Sequence, residues 1–294
     1  MPPLRAATRG SALARWQTDF VAALLAAPVE VVVVETTGDR RRDVPIADLG
    51  RGVFVKEVQA AVLDGRADFA VHSAKDLPSS PELNPPGLVI AAVPEREDPR
   101  DALVGSRLRD LSPGATVATG AVRRRAQLAA LRPDLTFTGL RGNIDTRLAR
   151  AAEHDAIVVA VAALKRLDRL DAVAEILEPW VMLPQVAQGA LAVECRADDQ
   201  ATRAIVGAIE DRTARRAVDA ERAFLATLGG GCDLPAGAHA VVDAGGVVTL
   251  TGMLCTADGR RVVTHRASGD DVLALGAEVA QAVLPLLESE GMLL

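Results

Sequence analysis

The run Glu30-Val-Val-Val-Val-Glu35 decides the fold class, because a short series of β-branched residues between polar ones predicts a buried strand. The residues before it have apolar side chains at helical spacing and follow Ser11, which is a good helix N-cap. After it, a helical pattern over residues 53–63 precedes the β-like run Phe69-Ala-Val-His72, and residues 88–93 form another. This alternation predicts an α/β layer with mostly parallel strands.

The alternation resumes after Pro94-Glu-Arg-Glu-Asp-Pro-Arg-Asp101, a charged and proline-bounded stretch that is a good linker candidate. A second α/β set covers about residues 116–161, and a loop-like segment at 183–190 leads back to a strand and a helix. From about residue 213, one helix, three β-like runs and a closing helix predict a small α+β domain. In α/β sheets, ligands bind at the carboxyl ends of the strands.

The amino-acid composition limits the classes of partner that we expect this protein to bind. The net charge of -6 and the 2% aromatic content argue against nucleic-acid binding, although arginines cluster locally, which suits a small anionic ligand. Three cysteines without CxxC spacing argue against a disulfide framework and a zinc site. The N-terminus has no apolar signal region, and the longest apolar run, residues 156–164, is far below the ~20 residues of a membrane span. We expect a cytoplasmic protein that binds neither nucleic acid nor membrane.

Arginines stand at three predicted turns near helix starts. Thr119-Gly-Ala-Val-Arg-Arg-Arg125 opens a helix, Leu140-Arg-Gly-Asn143 does the same with Arg147 one turn further, and Arg9 precedes Ser11. Backbone N–H groups at a helix start attract anions, and guanidinium forks pair with carboxylates. The alternative is a set of solvated helix faces with Arg–Glu pairs.

The segment His72-Ser-Ala-Lys-Asp76 places a serine, a lysine and a carboxylate just past a strand. Such a carboxylate can stabilise a cation or move protons. The alternative is a helix cap with a surface ion pair, and His72 alone is typical of a core histidine. The remaining histidines form no metal-binding pattern, so we expect no metal.

Cys232 lies in the glycine-rich segment Gly229-Gly-Gly-Cys-Asp-Leu-Pro235, where a thiol is open to covalent attachment. The alternative is a buried, inert cysteine. Cys195 and Cys255 lie in strand-like runs, and for them the inert interpretation is preferred.

Several segments, in order along nearly the whole chain, make this sequence similar to the porphobilinogen deaminase (hydroxymethylbilane synthase) family. They are Arg5-Ala-Ala-Thr-Arg9 with Trp16-Gln17, Phe54-Val-Lys-Glu57, Val71-His-Ser-Ala-Lys-Asp76, Glu95-Arg-Glu-Asp-Pro-Arg-Asp101, Leu140-Arg-Gly-Asn143, Leu164-Lys-Arg-Leu167, Gln188-Gly-Ala190 and Gly230-Gly-Cys-Asp-Leu-Pro235. The resemblance implies two like lobes, similar to periplasmic binding-protein lobes, around a cleft. It assigns residues 1–92 with 190–208 to lobe 1, 97–186 to lobe 2, and 212–294 to a C-terminal α+β domain.

The resemblance also implies the chemistry. A dipyrromethane cofactor would be joined to Cys232 by a thioether, and a monomeric enzyme would add four porphobilinogens in turn with loss of ammonia. Hydrolysis would then release 1-hydroxymethylbilane for tetrapyrrole (haem) synthesis. Each pyrrole carries two carboxylates, which arginines can meet, and loss of ammonia leaves a cationic azafulvene, which one carboxylate can stabilise.

By residue match, Asp76 would be the catalytic group, and Arg51 and Phe54 would belong to a flexible active-site loop. The residues implied to bind substrate or cofactor are Arg9, Ser11, Ser73, Lys75, Arg123, Arg124, Arg141, Asn143, Arg147, Arg166 and Gln188. The chain departs from the family pattern at Gly120 and Ala121, where two serines are usual, and at Gly50-Arg51-Gly52, one residue short. A binding protein for a small carboxylated ligand is the main alternative, which the C-terminal domain and Cys232 disfavour.

Overall fold

The computed structural model describes residues 2–40, 54–229 and 234–285. The chain divides into two compact units, Met1–Glu97 with Ala190–Arg215, and Asp98–Gly189 with Arg216–Leu294. Both are mixed α/β structures, as expected. The finer division, with 97–186 and 212–294 as separate domains, stays a prediction.

The described residues form strands and helices that we number in chain order. The strands are β1 (Leu4–Arg9), β2 (Val29–Val34), β3 (Phe69–Ser73), β4 (Leu88–Ala92), β5 (Asp101–Val104), β6 (Thr116–Ala118), β7 (Thr136–Thr138), β8 (Ala156–Ala160), β9 (Val173–Leu177), β10 (Leu191–Arg196), β11 (Ala236–Val242), β12 (Val248–Cys255) and β13 (Val262–Gly269). The α-helices are α1 (Ala12–Leu24), α2 (Thr37–Arg40), α3 (Lys56–Leu63), α4 (Val122–Leu131), α5 (Ile144–Ala149), α6 (Val161–Arg166), α7 (Gln200–Gly207), α8 (Arg212–Thr227) and α9 (Val272–Val283).

The first unit is built on a five-stranded sheet with the order β2-β1-β3-β10-β4. β1 pairs in parallel with β2 and β3, whereas β10 runs antiparallel to both of its neighbours. α1 begins as predicted at Ser11, whose hydroxyl accepts from the Ala14 N–H at 3.3 Å. The valine run is confirmed as a strand, which covers Val29–Val34, but the prediction that it is buried is wrong. β2 is the edge strand of the sheet, so it has a neighbour on one side only, and Val33 is 51% exposed.

Two helices cover the opposite faces of this sheet. Alternate side chains of a strand point to opposite faces. Accordingly, Phe69 and Val71 pack in one buried cluster with Val21 of α1, and Ala70 packs in another with Val58 of α3. The end of β3 is therefore fixed between α1 and α3.

The second unit repeats this topology in the sheet β7-β6-β8-β5-β9. β6 pairs in parallel with β7 and β8, and β5 is antiparallel to β8 and β9. In each sheet the antiparallel strand is the first one after the chain crosses from the other unit. Two like lobes were expected, and the two sheets have the same strand order and directions.

The C-terminal part of the second unit is a three-stranded antiparallel sheet, β11-β12-β13. A Cβ on Gly252 of β12 would lie 2.5 Å from the Phe224 ring, so α8 packs directly against this sheet. Met253 and Cys255 form a buried cluster with Ala126 of α4 and Leu183. Among the described residues no helix is both long and apolar enough to cross a membrane.

Candidate active site

The first unit gathers several of the predicted site residues at the carboxyl ends of β1 and β3. Arg9 ends β1, Ser73 ends β3, and the 3-10 turn Ala74–Asp76 carries Asp76 with its side chain exposed to solvent. Arg9, Ser11, Phe54, His72, Ser73 and Asp76 are among the residues that line one hollow. This is the sheet edge at which α/β proteins bind ligands.

Two contacts hold the walls of this hollow. The Gln17 side chain, only 3% exposed, donates from Nε2 to the Ser73 hydroxyl at 2.8 Å. The Arg9 guanidinium carbon lies 4.1 Å from the centre of the Phe54 ring, a cation–π contact. Lys75, half-buried in the same turn as Asp76, lies at this edge as well. Arg51 lies outside the described residues.

The second unit contains a buried charged cluster, which we call the Asp101 cluster and define as Asp101, Arg123 and Arg124. Asp101 opens β5 and has no exposed surface. Its Oδ2 accepts from Arg123 Nη2 at 2.7 Å, and its Oδ1 accepts from Arg124 Nη2 at 2.7 Å. One other nitrogen of each arginine donates to a backbone carbonyl, Arg123 Nη1 to Leu183 at 2.5 Å and Arg124 Nη1 to Val158 at 3.0 Å.

The Asp101 cluster carries more positive than negative charge. Burial alone would raise the pKa of Asp101, but the attraction of Arg123 and Arg124 outweighs it and holds that pKa far below its ordinary value. The carboxylate is therefore ionised. Burial lowers the pKa of Arg123 despite the attraction of Asp101. Since arginine stays protonated in proteins, one negative charge faces two positive charges at 4% and 5% exposure. An anion bound against these guanidiniums would be attracted by the excess positive charge.

Gln188 and Arg166 also lie buried in the second unit. Gln188 donates from Nε2 to Asp101 Oδ1 at 2.8 Å and to the Pro99 carbonyl at 2.7 Å. It therefore supports the Asp101 cluster from the side of the 183–190 segment. Arg166, at the end of α6, donates from Nη2 to the Gly189 carbonyl at 2.7 Å.

The segment after β7 presents the other predicted residues of this unit at the surface. Arg141 is exposed, and Arg147 donates from Nε to the Gly142 carbonyl at 2.9 Å. The Asn143 side chain is the N-cap of α5, since its Oδ1 accepts from the Thr146 N–H at 2.9 Å. This oxygen thus already has a structural partner.

The backbone explains why Gly120 suits its position. A Cβ there would lie 2.8 Å from the Leu140 carbonyl oxygen, too close for a side chain without a shift of the backbone. Ala121 is the N-cap of α4 and makes no side-chain hydrogen bond to the helix. The N–H groups of the first turn of α4 therefore donate no hydrogen bond to the side chain of the cap residue.

Cys195 and Cys255 are buried thiols, as expected for inert cysteines. Burial raises the pKa of Cys195 to about 11 and that of Cys255 to about 12. Both are protonated at neutral pH and are poor nucleophiles. Cys232 lies outside the described residues.

Within each unit the structure therefore gathers part of the predicted set. Arg9, Ser11, Phe54, Ser73 and Asp76 line one hollow of the first unit, and Arg123, Arg124 and Gln188 converge on Asp101 in the second. Arg141, Asn143 and Arg147 lie apart from that convergence, on and before α5. Asp101 was not among the predicted site residues, because its segment was interpreted as a linker. The signal was a single acidic residue at the start of the apolar run Asp101-Ala-Leu-Val104.

Comparison with protein families identifies the chain. The family model described as "Porphobilinogen deaminase, dipyromethane cofactor binding domain" matches residues 4–204, and "Porphobilinogen deaminase, C-terminal domain" matches residues 215–284. The chain belongs to the porphobilinogen deaminase family. The resemblance seen in the sequence motifs is therefore confirmed. Members of this family are transferases of tetrapyrrole biosynthesis.

Individual members of the porphobilinogen deaminase family match over almost their full length. The porphobilinogen deaminase of Brevibacillus brevis is 46% identical over 288 residues, which cover 94% of this chain and 92% of that protein. The porphobilinogen deaminase of a Roseiflexus species is 47% identical, over 94% of this chain and 94% of that protein. The one of Syntrophus aciditrophicus is 44% identical, over 96% of this chain and 95% of that protein.

Solved structures match more weakly. A periplasmic binding protein of Salmonella typhimurium with high arginine specificity is 13% identical, with a TM-score of 0.41 over 73% of this chain and 94% of that one. A likeness at this level carries no conclusion about the site.

We predict that Asp101→Asn lowers the free energy of unfolding by about 3–5 kcal/mol, because it leaves two buried guanidiniums without their carboxylate. Urea unfolding at pH 7, followed by circular dichroism, measures the change. Since the pKa of Asp101 is depressed in the folded state, its stabilisation is complete above the unfolded pKa of about 3.9 and declines as the pH falls below it.

The matched control is Asp134→Asn. Asp134 pairs with Arg132 at 2.6 Å, but this pair lies at the surface and is screened by solvent, so the expected loss is far smaller than that of Asp101→Asn. Equal losses in the two variants would contradict the stabilising role assigned to Asp101.

Proposed function

We propose that this chain is a hydroxymethylbilane synthase that condenses four porphobilinogen units in turn, releases ammonia at each addition and frees 1-hydroxymethylbilane by hydrolysis. Family membership supports the activity, and the Asp101 cluster is the observation that carries the substrate class. Every pyrrole unit of such a chain brings two carboxylates. Two buried guanidiniums that share one carboxylate provide the positive charge that these anions need.

The residues present fit a dipyrromethane cofactor. Its carboxylates require guanidinium donors held in fixed directions, and Arg123 and Arg124 are fixed by Asp101 and by two backbone carbonyls. In this proposal Arg123, Arg124, Arg166 and the first turn of α4 hold cofactor or substrate carboxylates. When bound, the cofactor supplies the pyrrole carbon to which the first substrate is joined.

Gln188 acts on these carboxylates indirectly in our proposal. Its amide donates to Asp101 and is fully buried, so it orients the guanidiniums instead of meeting the ligand. Asn143 acts in the same way, because its side-chain oxygen caps α5 and so fixes the segment that carries Arg141. Arg141 and Arg147 extend the positive surface for further carboxylates.

The first unit supplies the acid–base and cation-stabilising group. Loss of ammonia leaves positive charge on the substrate pyrrole, and the Asp76 carboxylate stabilises that charge at the ring nitrogen. The same carboxylate accepts the proton that leaves the ring carbon after the new bond forms. Arg9, Ser11, Ser73 and Lys75 bind carboxylates of the substrate at this edge, and Phe54 borders the same hollow. Arg51 lies outside the described residues, and its place in an active-site loop with Phe54 stays a prediction.

Cys232 is the attachment point of the cofactor in this proposal. The two other cysteines support it by contrast, since burial raises the pKa of both and keeps them as thiols. Cys195 and Cys255 are free thiols, which suits a reducing compartment. We accordingly propose a cytoplasmic enzyme; that it acts as a monomer stays a prediction.

The attachment predicts a covalent adduct. Intact mass spectrometry of the purified protein should give a mass higher than the sequence mass by two pyrrole units, and Cys232→Ser should remove the increment. Cys255→Ser is the matched control and should retain it. Peptide mapping that places the adduct on Cys195 or Cys255 contradicts the assignment.

Asp76→Asn should lower the rate of chain elongation by about 10²–10³, because a charge that acts on the transition state is lost while size and hydrogen bonding are kept. Single-turnover kinetics with porphobilinogen and cofactor-loaded protein measure this rate. Asp76→Glu keeps the charge at a shifted position and should fall between Asp76→Asn and wild type. Elongation at the wild-type rate in Asp76→Asn rules out the catalytic role.

A further inference from the structure

The first unit contains a second polar cluster, beneath the hollow, that the mechanism above does not use. We call it the Glu194 cluster and define it as Gln59 of α3, His72 of β3 and Glu194 of β10. The three residues are 3%, 6% and 3% exposed. Gln59 Nε2 donates to Glu194 Oε2 at 3.0 Å, and His72 Nε2 lies 3.0 Å from the same oxygen.

Such a cluster is costly to bury. Removing a carboxylate from water costs several kcal/mol, which is recovered only with well-aligned partners. Apolar side chains of similar volume would fill the same space at less cost, as Ala61 and Val62 do further along α3. The Glu194 cluster therefore calls for a role other than packing.

The strands bring the cluster together on one sheet face. Ala192 of β10 is opposite His72, and Glu194 is opposite Ala70, so Glu194 and His72 are diagonal neighbours on the face that α3 covers. The pairing of β10 with β4 is irregular between Val193 and Glu194. Irregularities of this kind change the direction in which a side chain points.

The cluster is also next to the catalytic turn. His72 and Ser73 are consecutive, so they point to opposite faces of the sheet. On the α1 face Gln17 donates a hydrogen bond to Ser73, and on the α3 face Glu194 lies within ion-pair distance of His72. The backbone N–H of Ala74 is tied to the Ala190 carbonyl at 3.0 Å. Contacts on both faces and along the backbone thus fix the end of β3, from which the turn with Asp76 starts.

The contact between the His72 imidazole and Glu194 lacks the geometry of a hydrogen bond. Its Nε2 is within ion-pair distance of Glu194 but outside hydrogen-bond geometry, although the atom is fully buried. The imidazole also lines the hollow together with Asp76. Catalytic hydrogen bonds that are poorly aligned in a free enzyme often tighten when substrate binds.

We propose that Glu194 is a positioning residue for the reaction: with Gln59, it holds the His72 imidazole at the floor of the hollow and thereby sets the place of the Asp76 carboxylate. The inference rests on the proposed function of Asp76. If Glu194 is lost, the Asp76 carboxylate should shift. A shift of about 1 Å at a reacting centre can cost about 10²-fold in rate, so the inference predicts an effect of Glu194 on turnover.

The test is Glu194→Gln, which keeps shape and removes charge. With cofactor-loaded protein and porphobilinogen, kcat should fall by about 10–10²-fold while KM stays within about twofold of wild type. Gln59→Met, which leaves both Glu194 and His72 in place, should lower kcat in the same direction by less. Combining Glu194→Gln with His72→Gln should cost little more than the worse single variant, because the two residues act as a pair.

The matched control is Glu210→Gln. Glu210, also in the first unit, accepts from the Val93 N–H at 2.6 Å and pairs with Arg215, and it does not line the hollow. Its substitution should leave kcat unchanged. Rates are expressed per folded molecule, with the folded fraction taken from circular dichroism. Glu194→Gln with wild-type kcat per folded molecule, or with a change confined to KM, overturns the inference. A wild-type protein that does not consume porphobilinogen overturns the proposed function itself, and the inference falls with it.

Discussion

The contact of Asp101 with Arg123 and Arg124 is the interaction on which the site in the second unit depends. Two guanidiniums that are almost fully buried would repel each other and lose their hydration without a carboxylate between them. Asp101 opens β5, so the sheet fixes its position, and Gln188 fixes its Oδ1 from the 183–190 segment. One buried anion therefore determines where two cations point, and it leaves one positive charge for a ligand.

In the proposed function the two units contribute different charged groups to the reaction. In the second unit, the Asp101 cluster has an excess of one positive charge, which suits the carboxylates of a pyrrole chain. The first unit places the exposed carboxylate of Asp76 at the ends of β1 and β3, which suits the cation formed when ammonia leaves. We infer that the contacts of Gln17 with Ser73 and of Glu194 with His72, on the two faces of the sheet, keep that carboxylate in place. The proposed function therefore assigns the carboxylate-binding arginines and the reacting carboxylate to the ends of two different sheets.

Much of the fold could be predicted from local sequence because the signals are local. The valine run, the Ser11 cap and the apolar spacing of α1 require only neighbouring residues. The directions of β5 and β10 could not be predicted this way, since both depend on how the chain crosses from one unit to the other. The like order of the two sheets became visible only with the pairing of the strands.

Candidate site residues can be predicted from sequence where a short motif carries them, but a residue that supports them from a distant segment cannot. Asp76 and the arginine turns stand out in short segments. Asp101, by contrast, lies in a charged stretch typical of a linker, and its partners Arg123, Arg124 and Gln188 are 22, 23 and 87 residues away. Glu194 is likewise one acidic residue in a strand, and only its pairing with β3 brings it near His72.

The most direct test of the account is an experimental structure of the cofactor-loaded protein. The account predicts that a cofactor carboxylate lies at about 2.7–3.2 Å from a guanidinium nitrogen of Arg123 or Arg124, while Asp101 keeps its contact with both side chains. A structure in which both guanidiniums bind only Asp101 and backbone carbonyls, with the cofactor carboxylates elsewhere, would contradict it.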